Sequence, residues 1–161
     1  MIKIEDYASL VGEDVINQLY SLAEGSQDKC VQNINSTSVG GGVAELLSRL
    51  IPLFKQLGVE VNWDVIKGDE RFFEITKKFH NALQGFEAII TDEDLAHFLE
   101  INQMNAETID FYGDIIFIHD PQPIALIRKK GANGSKWIWR CHIDLTEPQM
   151  CPMNFLKYYI G

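Results

Sequence analysis

Residues 31–45 read VQNINSTSVGGGVAE, from Val31 to Glu45, and this stretch decides the fold. A short strand runs into the small polar residues Ser36, Thr37 and Ser38, tightens at Gly40, Gly41 and Gly42, and opens a helix at Val43. Consecutive glycines let the backbone adopt positive φ and let a ligand come close, since no Cβ stands in the way. The helix that follows turns its unpaired N–H groups and positive dipole end toward the loop, which suits a phosphate or another anion. A loop of this kind, at the carboxyl end of a strand, lies where open α/β sheets bind ligands. A plain strand-to-helix turn uses the same glycines, and the residues alone leave both readings standing.

Outward from this loop the same alternation continues. Val43, Leu46, Leu47, Leu50, Ile51, Phe54 and Leu57 keep helical spacing up to Gly58, with Pro52 expected to bend or break the run. Residues 59–66 (VEVNWDVI) form a second strand, so strand, helix and strand make a right-handed βαβ unit with a parallel sheet. Upstream, residues 14–24 form an amphipathic helix closed by Gly25. Downstream, helices over 70–83 and 92–105 follow one another with no strand between them, which suggests an insertion over a sheet edge or over the cleft. The apolar run 114–118 (DIIFI) reads as a central strand buried on both faces. It ends at His119-Asp120-Pro121-Gln122-Pro123, before a short helix over 124–130. Residues 136–141 (KWIWRC) give a fourth strand that empties into His142, Ile143 and Asp144. Three strand ends rich in polar residues thus point to one edge of one sheet, and a pocket there.

Composition narrows the class. A chain of 161 residues has room for one domain, and 46% hydrophobic with 23% charged residues is globular. The net charge of −9 argues against a nucleic-acid partner, because phosphate neutralisation needs clustered Lys and Arg. The basic cluster Arg128-Lys129-Lys130 reads as a helix C-terminus. The first residues lack the apolar core of a secretory signal, and no apolar run is long enough for a membrane span. Cys30, Cys141 and Cys151 show neither a disulfide framework nor zinc spacing, and a reducing cytoplasm fits them. Cys30 and Cys141 read as small buried hydrophobes. The glycosylation patterns at Asn35 and Asn133 read as chance.

The chemistry-bearing residues do not name a reaction by themselves. The glycine loop is neither a dinucleotide fingerprint nor a Walker loop, because Val43-Ala44-Glu45 stands where either motif needs other residues. His119 with Asp120, and His142 with Asp144, suit an acid–base pair or metal ligands, and equally suit hydrogen-bonded caps of a sheet edge. No hydrolase elbow or paired zinc spacing supports a metal, and no cofactor is expected. His80 and His97 fall on helices, where surface or packing roles are the expectation.

NINSTSVGGGVAELLSRLIPLFKQLGVEVNWDVIKGDERFFEITKKFHNALQG, then FYGDIIFIHDPQPIALI and WIWRCHIDLTEP, closely resemble the amino-terminal half of the glycosyltransferring trehalose synthases. The resemblance covers about Tyr7 to Pro148. It implies an α/β fold, a Rossmann-like parallel sheet flanked by helices, as the N-terminal half of a GT-B architecture. It also implies retaining transfer of glucose from a nucleotide-glucose to glucose, giving trehalose. By this resemblance Gly40, Gly41 and Gly42 approach the donor diphosphate and His119 bonds the transferred hexose. Asp120 and Gln122 shape the same wall, and Arg140, His142 and Asp144 bind acceptor hydroxyls. Trp139 or Trp63 would stack on a sugar or simply fill the core.

In that family a second domain carries the basic pair on the diphosphate and a Glu-x7-Glu element. Here Glu93 and Glu100 are one residue short of that spacing. Residues 1–161 are therefore expected to be one truncated, acceptor-side domain with the donor domain absent, inactive alone. A homo-oligomer, or a separately encoded donor domain, is the expected partner. The alternative from a different class is a non-catalytic module that binds a sugar or nucleotide-sugar.

Overall fold

The computed structural model describes residues 3–131 and 134–160; the pattern at Asn133 lies outside them. A 3-10 turn at Ile4–Tyr7 leads into α1 (Ala8–Val11) and α2 (Glu13–Glu24), followed by β1 (Cys30–Asn35), α3 (Gly42–Gln56) and β2 (Glu60–Val65). Two helices come next, α4 (Glu70–Leu83) and α5 (Asp92–Thr108), then β3 (Ile115–His119). A 3-10 helix (Ile124–Lys129), β4 (Lys136–Arg140) and α6 (Met150–Ile160) complete the chain. The strands form one parallel sheet in the order β2-β1-β3-β4.

Alternation along the strands assigns the two faces. Ile34, Ile116, Ile118, Trp137 and Trp139 share one face, and on it α4, α5, α6 and the 3-10 helix lay Phe72, Ile75, Phe79, Phe98, Leu126 and Leu156. The other face is covered over β1 and β2, where Val31, Val59 and Val61 pack with Ala23 of α2 and with Ile51 and Leu57 at the end of α3. This division follows from handedness: the β1-to-β2 crossover and the β2-to-β3 crossover run in opposite directions along the sheet, so right-handed connections put their helices on opposite faces.

Several sequence expectations change in detail. β3 is central, but Ile115 and Phe117 are only half-buried, and Ile138 beside them on β4 is 41% exposed. An apolar run marks residues suited to burial without saying whether a helix covers both sides, and α2 and α3 reach only the β1–β2 half. Pro52 lies within α3, which continues through it unbroken. Its missing N–H removes one bond without ending the flanking turns. The segment after Pro123 is a 3-10 helix, and Arg128 in its last turn lies 5.0 Å from the Tyr159 ring centre of α6. Cys30 and Cys141 are half-buried, and burial raises both thiols. No helix among the described residues is long and apolar enough to cross a membrane.

α4 and α5 lie on the sheet face that carries Ile34, Ile116 and Ile118 rather than over a sheet edge. α4 begins at its N-cap Asp69, just past the end of β2, where the Asp69 carboxylate accepts from the Phe72 N–H at 2.7 Å. Its other end lies by the loop beyond β4, for the Gln149 N–H donates to the Ala82 carbonyl at 2.8 Å. The helix therefore runs across the sheet from the β2 side to the β4 side. α5 is held against α4 by Lys78, whose ammonium is 2.7 Å from the Asp94 carboxylate. Asp94 also caps its own helix with Thr91 in a capping box.

Candidate functional site

The parallel register brings three strand ends side by side. Ile34 pairs with Ile118, and His119 with Arg140, so Asn35, His119 and Arg140 are neighbours along one rim. The glycine loop leaves the same rim from Asn35. Its shape is set from below: the Trp63 indole N–H donates to Asn35 Oδ1 at 2.7 Å, and Asn35 Nδ2 donates to the Thr37 carbonyl at 2.8 Å. The Thr37 hydroxyl closes a tight turn on Val39.

Of the glycines, Gly40 (φ 71°) and Gly41 (φ 84°, ψ 152°) take positive φ, while Gly42 is already the first helical residue. A Cβ at any of the three would meet no atom within 4 Å. The loop is open to solvent, and the α3 N-terminus carries no side-chain cap. Conformation alone then demands glycine at 41. Gly41→Ala is expected to lower stability by about 1–3 kcal/mol, whereas Gly42→Ala changes it by less than about 1 kcal/mol. Thermal melts of the two variants check this, and equal effects would refute it.

His119 is 2% exposed, and its two ring nitrogens are both engaged: Nε2 lies 3.0 Å from Asn33 Oδ1 and Nδ1 lies 3.0 Å from His142 Nε2. The neighbours fix the protons. Asn33 Nδ2 donates to the Asn62 carbonyl at 3.4 Å, so its Oδ1 faces the imidazole and accepts from His119 Nε2–H. A neutral ring with its proton on Nε2 must accept at Nδ1, so His142 donates from Nε2. Burial, with positive neighbours at His142 and Arg140, pushes the His119 pKa down to about 4, which keeps the ring neutral. The His119 and His142 rings stack at 5.3 Å, the second exposed on the rim.

Asp120 is held in the left-handed region (φ 63°), the one non-glycine residue there among those described. Three bonds impose it: its N–H donates to the Arg140 carbonyl at 2.9 Å, its carbonyl accepts from the Trp139 indole at 2.8 Å, and its carboxylate accepts from the His142 N–H at 2.6 Å. Burial raises its carboxyl pKa. Asp144 is spent locally, accepting from the Thr146 N–H and hydroxyl, and those bonds lower its pKa. The exposed Arg140 side chain has no carboxylate partner among the described residues. Trp139 packs against the main core.

Gln122 stands apart from this row. Its backbone carbonyl accepts from Asn102 Nδ2 at 3.1 Å, while its side chain lines a groove against α4 that includes His80. The structure thus groups the glycine loop, His119, Asp120, Arg140 and His142 along the rim, with Asp144 beyond β4 and Gln122 on the α4 side. Sequence reasoning missed Asn33. A polar residue on the same strand face as Asn35, in a strand otherwise fit for burial, was the available signal for Asn33.

The family model for the N-terminal domain of trehalose synthase matches residues 33–161. The chain is 44% identical to the trehalose synthase of Thermococcus litoralis and 43% identical to that of Rubrobacter xylanophilus, each over 98% of this chain and 39% of the relative. It is 30% identical, over 88% of its length, to the trehalose phosphorylase of Pleurotus pulmonarius, of which it spans 21%. The chain spans about two fifths of the synthases it matches.

Proposed function

Because the chain belongs to the family of trehalose synthase N-terminal domains, we propose that its rim is the acceptor-side wall of a retaining GT-B glycosyltransferase. The donor would be a nucleotide-glucose, the acceptor glucose and the product trehalose. The observation that carries this reading is the adjacency of the β1, β3 and β4 ends, which sets an open glycine loop beside a row of polar side chains. Amide N–H groups from Gly40 to Gly42 would meet the donor diphosphate, with the α3 dipole behind them. Arg140 would bind hydroxyls through its fork, and His142 through Nδ1, which has no hydrogen-bond partner among the described residues. His119 would act on the hexose through His142, since its own nitrogens are committed. Asp120 would hold the His142 backbone in place, and Asp144 would shape the far end of the row. The three free cysteines suit the cytoplasm.

Transfer at an interdomain cleft needs both walls, because positioning and charge stabilisation each depend on the second. We therefore expect residues 1–161 to bind without turning over. A second reading, a non-catalytic module that binds a sugar or nucleotide-sugar, shares this prediction. Calorimetric titration with glucose, trehalose and nucleotide-glucoses should show weak binding of at least one. Incubation with nucleotide-glucose and glucose should yield no trehalose. Silence toward every sugar would overturn the site, and trehalose formation would overturn the need for a second wall.

A further inference from the structure

β4 is an edge of the sheet, and no strand among the described residues pairs with its outer side. The Lys136 N–H donates to the Asp114 carbonyl at 2.8 Å, and the Arg140 carbonyl accepts from the Asp120 N–H at 2.9 Å, so the even-numbered backbone groups of β4 turn toward β3. The backbone N–H and C=O groups of Trp137 and Trp139 turn outward, and they have no hydrogen-bond partner among the described residues. An open ladder of this kind is a template for another strand.

Both faces of the edge carry cations. On one, a cleft of about 210 Å³ is lined by Trp137, Trp139, Lys130 and Tyr159. The Trp137 Nε1–H is buried without an acceptor, which costs about 1–3 kcal/mol. On the other face Lys136 and Arg140 flank Ile138, which is 41% exposed. Lys130, Lys136 and Arg140 have no carboxylate partner among the described residues.

These charges choose the occupant. A second copy offering β4 in the two-fold register centred on Ile138 would set Lys136 against Arg140, and like charges opposite one another are destabilising. A second copy offering its other edge, β2, would bring Asn62 and Asp64 to the Trp side, but these are already bonded to Cys30 and Gln32. Such head-to-tail addition also leaves β4 free at every step and does not close. The net charge of −9 repels an acidic partner only at long range, because screening over about 8 Å at physiological salt leaves the local cations to decide.

We propose that β4 accepts an added strand from a different polypeptide, an extended acidic segment with an apolar residue at its centre. Its backbone pairs with Trp137 and Trp139, its carboxylates meet Lys136 and Arg140 on one face and Lys130 with the Trp137 indole on the other, and its apolar side chain covers Ile138. Arg140 is the one rim residue involved, and the proposal stands apart from the sugar-handling reading.

Titration of the full, 15N-labelled chain with the capped peptide Thr-Glu-Glu-Val-Glu-Glu-Thr tests it. The peptide should shift the Trp137 and Trp139 amides saturably and slow their hydrogen exchange at least about tenfold. A counterpart with Lys for every Glu, and one N-methylated along its backbone, which keeps the charge and deletes the donors, should each bind at least about tenfold more weakly. Lys130→Glu and Lys136→Glu, both at exposed positions, should each weaken binding at least about threefold, and dispersed spectra show that these variants fold. Equal binding of the N-methylated peptide, or of the Lys peptide, would overturn the added strand, as would shifts that avoid β4 or no binding at all. Protection of the Trp137 and Trp139 amides in the free chain, with sedimentation above the monomer, would give the edge to a second copy and overturn it too.

Discussion

Phe98→Ala is expected to remove about 3–5 kcal/mol of stability, a large part of the roughly 5–15 kcal/mol that holds a domain of this size together. Phe98 is fully buried on α5. Its ring is 5.6 Å from Phe72 and 5.2 Å from Phe79, both on α4, and 5.8 Å from Phe155 on α6. Truncation therefore removes three aromatic contacts at once and leaves a void that three helices cannot close together, because α4 is tethered at both ends. Urea unfolding at neutral pH measures the loss. A value below about 1.5 kcal/mol would mean that the site collapses around alanine and that the cluster is not the centre of the core.

Acidification gives the second large effect. The His119 pKa is about 4 in the folded protein against 6.5 for a free imidazole. Between those values the unfolded chain holds a proton that the folded one refuses, so stability falls as pH drops through this window. At about 1.4 kcal/mol per pKa unit the total is on the order of 3 kcal/mol, fully in hand above pH 6.5 and gone near pH 4. The carboxylates at Asp69, Asp94 and Asp144, held low by their hydrogen bonds, lose their contribution only at more acidic pH. Asp120, raised by burial, acts in the opposite sense, its contribution declining as pH rises. His119→Asn should flatten the stability–pH slope between pH 6.5 and 4.5 while lowering stability at pH 7. An unchanged slope would show that the ring titrates normally and that the Asn33–His119–His142 chain does not hold it neutral.

What the residues disclosed divides along a physical line. β1, α3 and β2 read directly because period and punctuation agree there: alternation, then glycines, then a stripe ending at Gly58. The rim was legible for the same reason, since chain direction in a parallel sheet fixes which ends coincide. Placement across the sheet was not. The periodicity of α4 identifies Phe72, Ile75 and Phe79 as its inner side, but not that it spans from β2 to the loop past β4, because that depends on the Gln149–Ala82 contact across many residues of chain. His80 and Gln122 face one another only as a result. Likewise DIIFI announces a central strand without revealing that half of one face lies open beside Ile138. His119 looked available as a ligand-binding imidazole, but in the fold Asn33 and His142 occupy both of its nitrogens.

The left-handed backbone at Asp120 limits what mutation can do there. Glycine satisfies the torsion angle but offers no acceptor to the His142 amide, and most L-residues that bring an acceptor resist the angle. Asparagine is the natural substitute for aspartate that meets both demands, so this rim position admits an alphabet of about two letters. Sequence drift at residue 120 is thereby confined by local geometry before any substrate exerts its own selection.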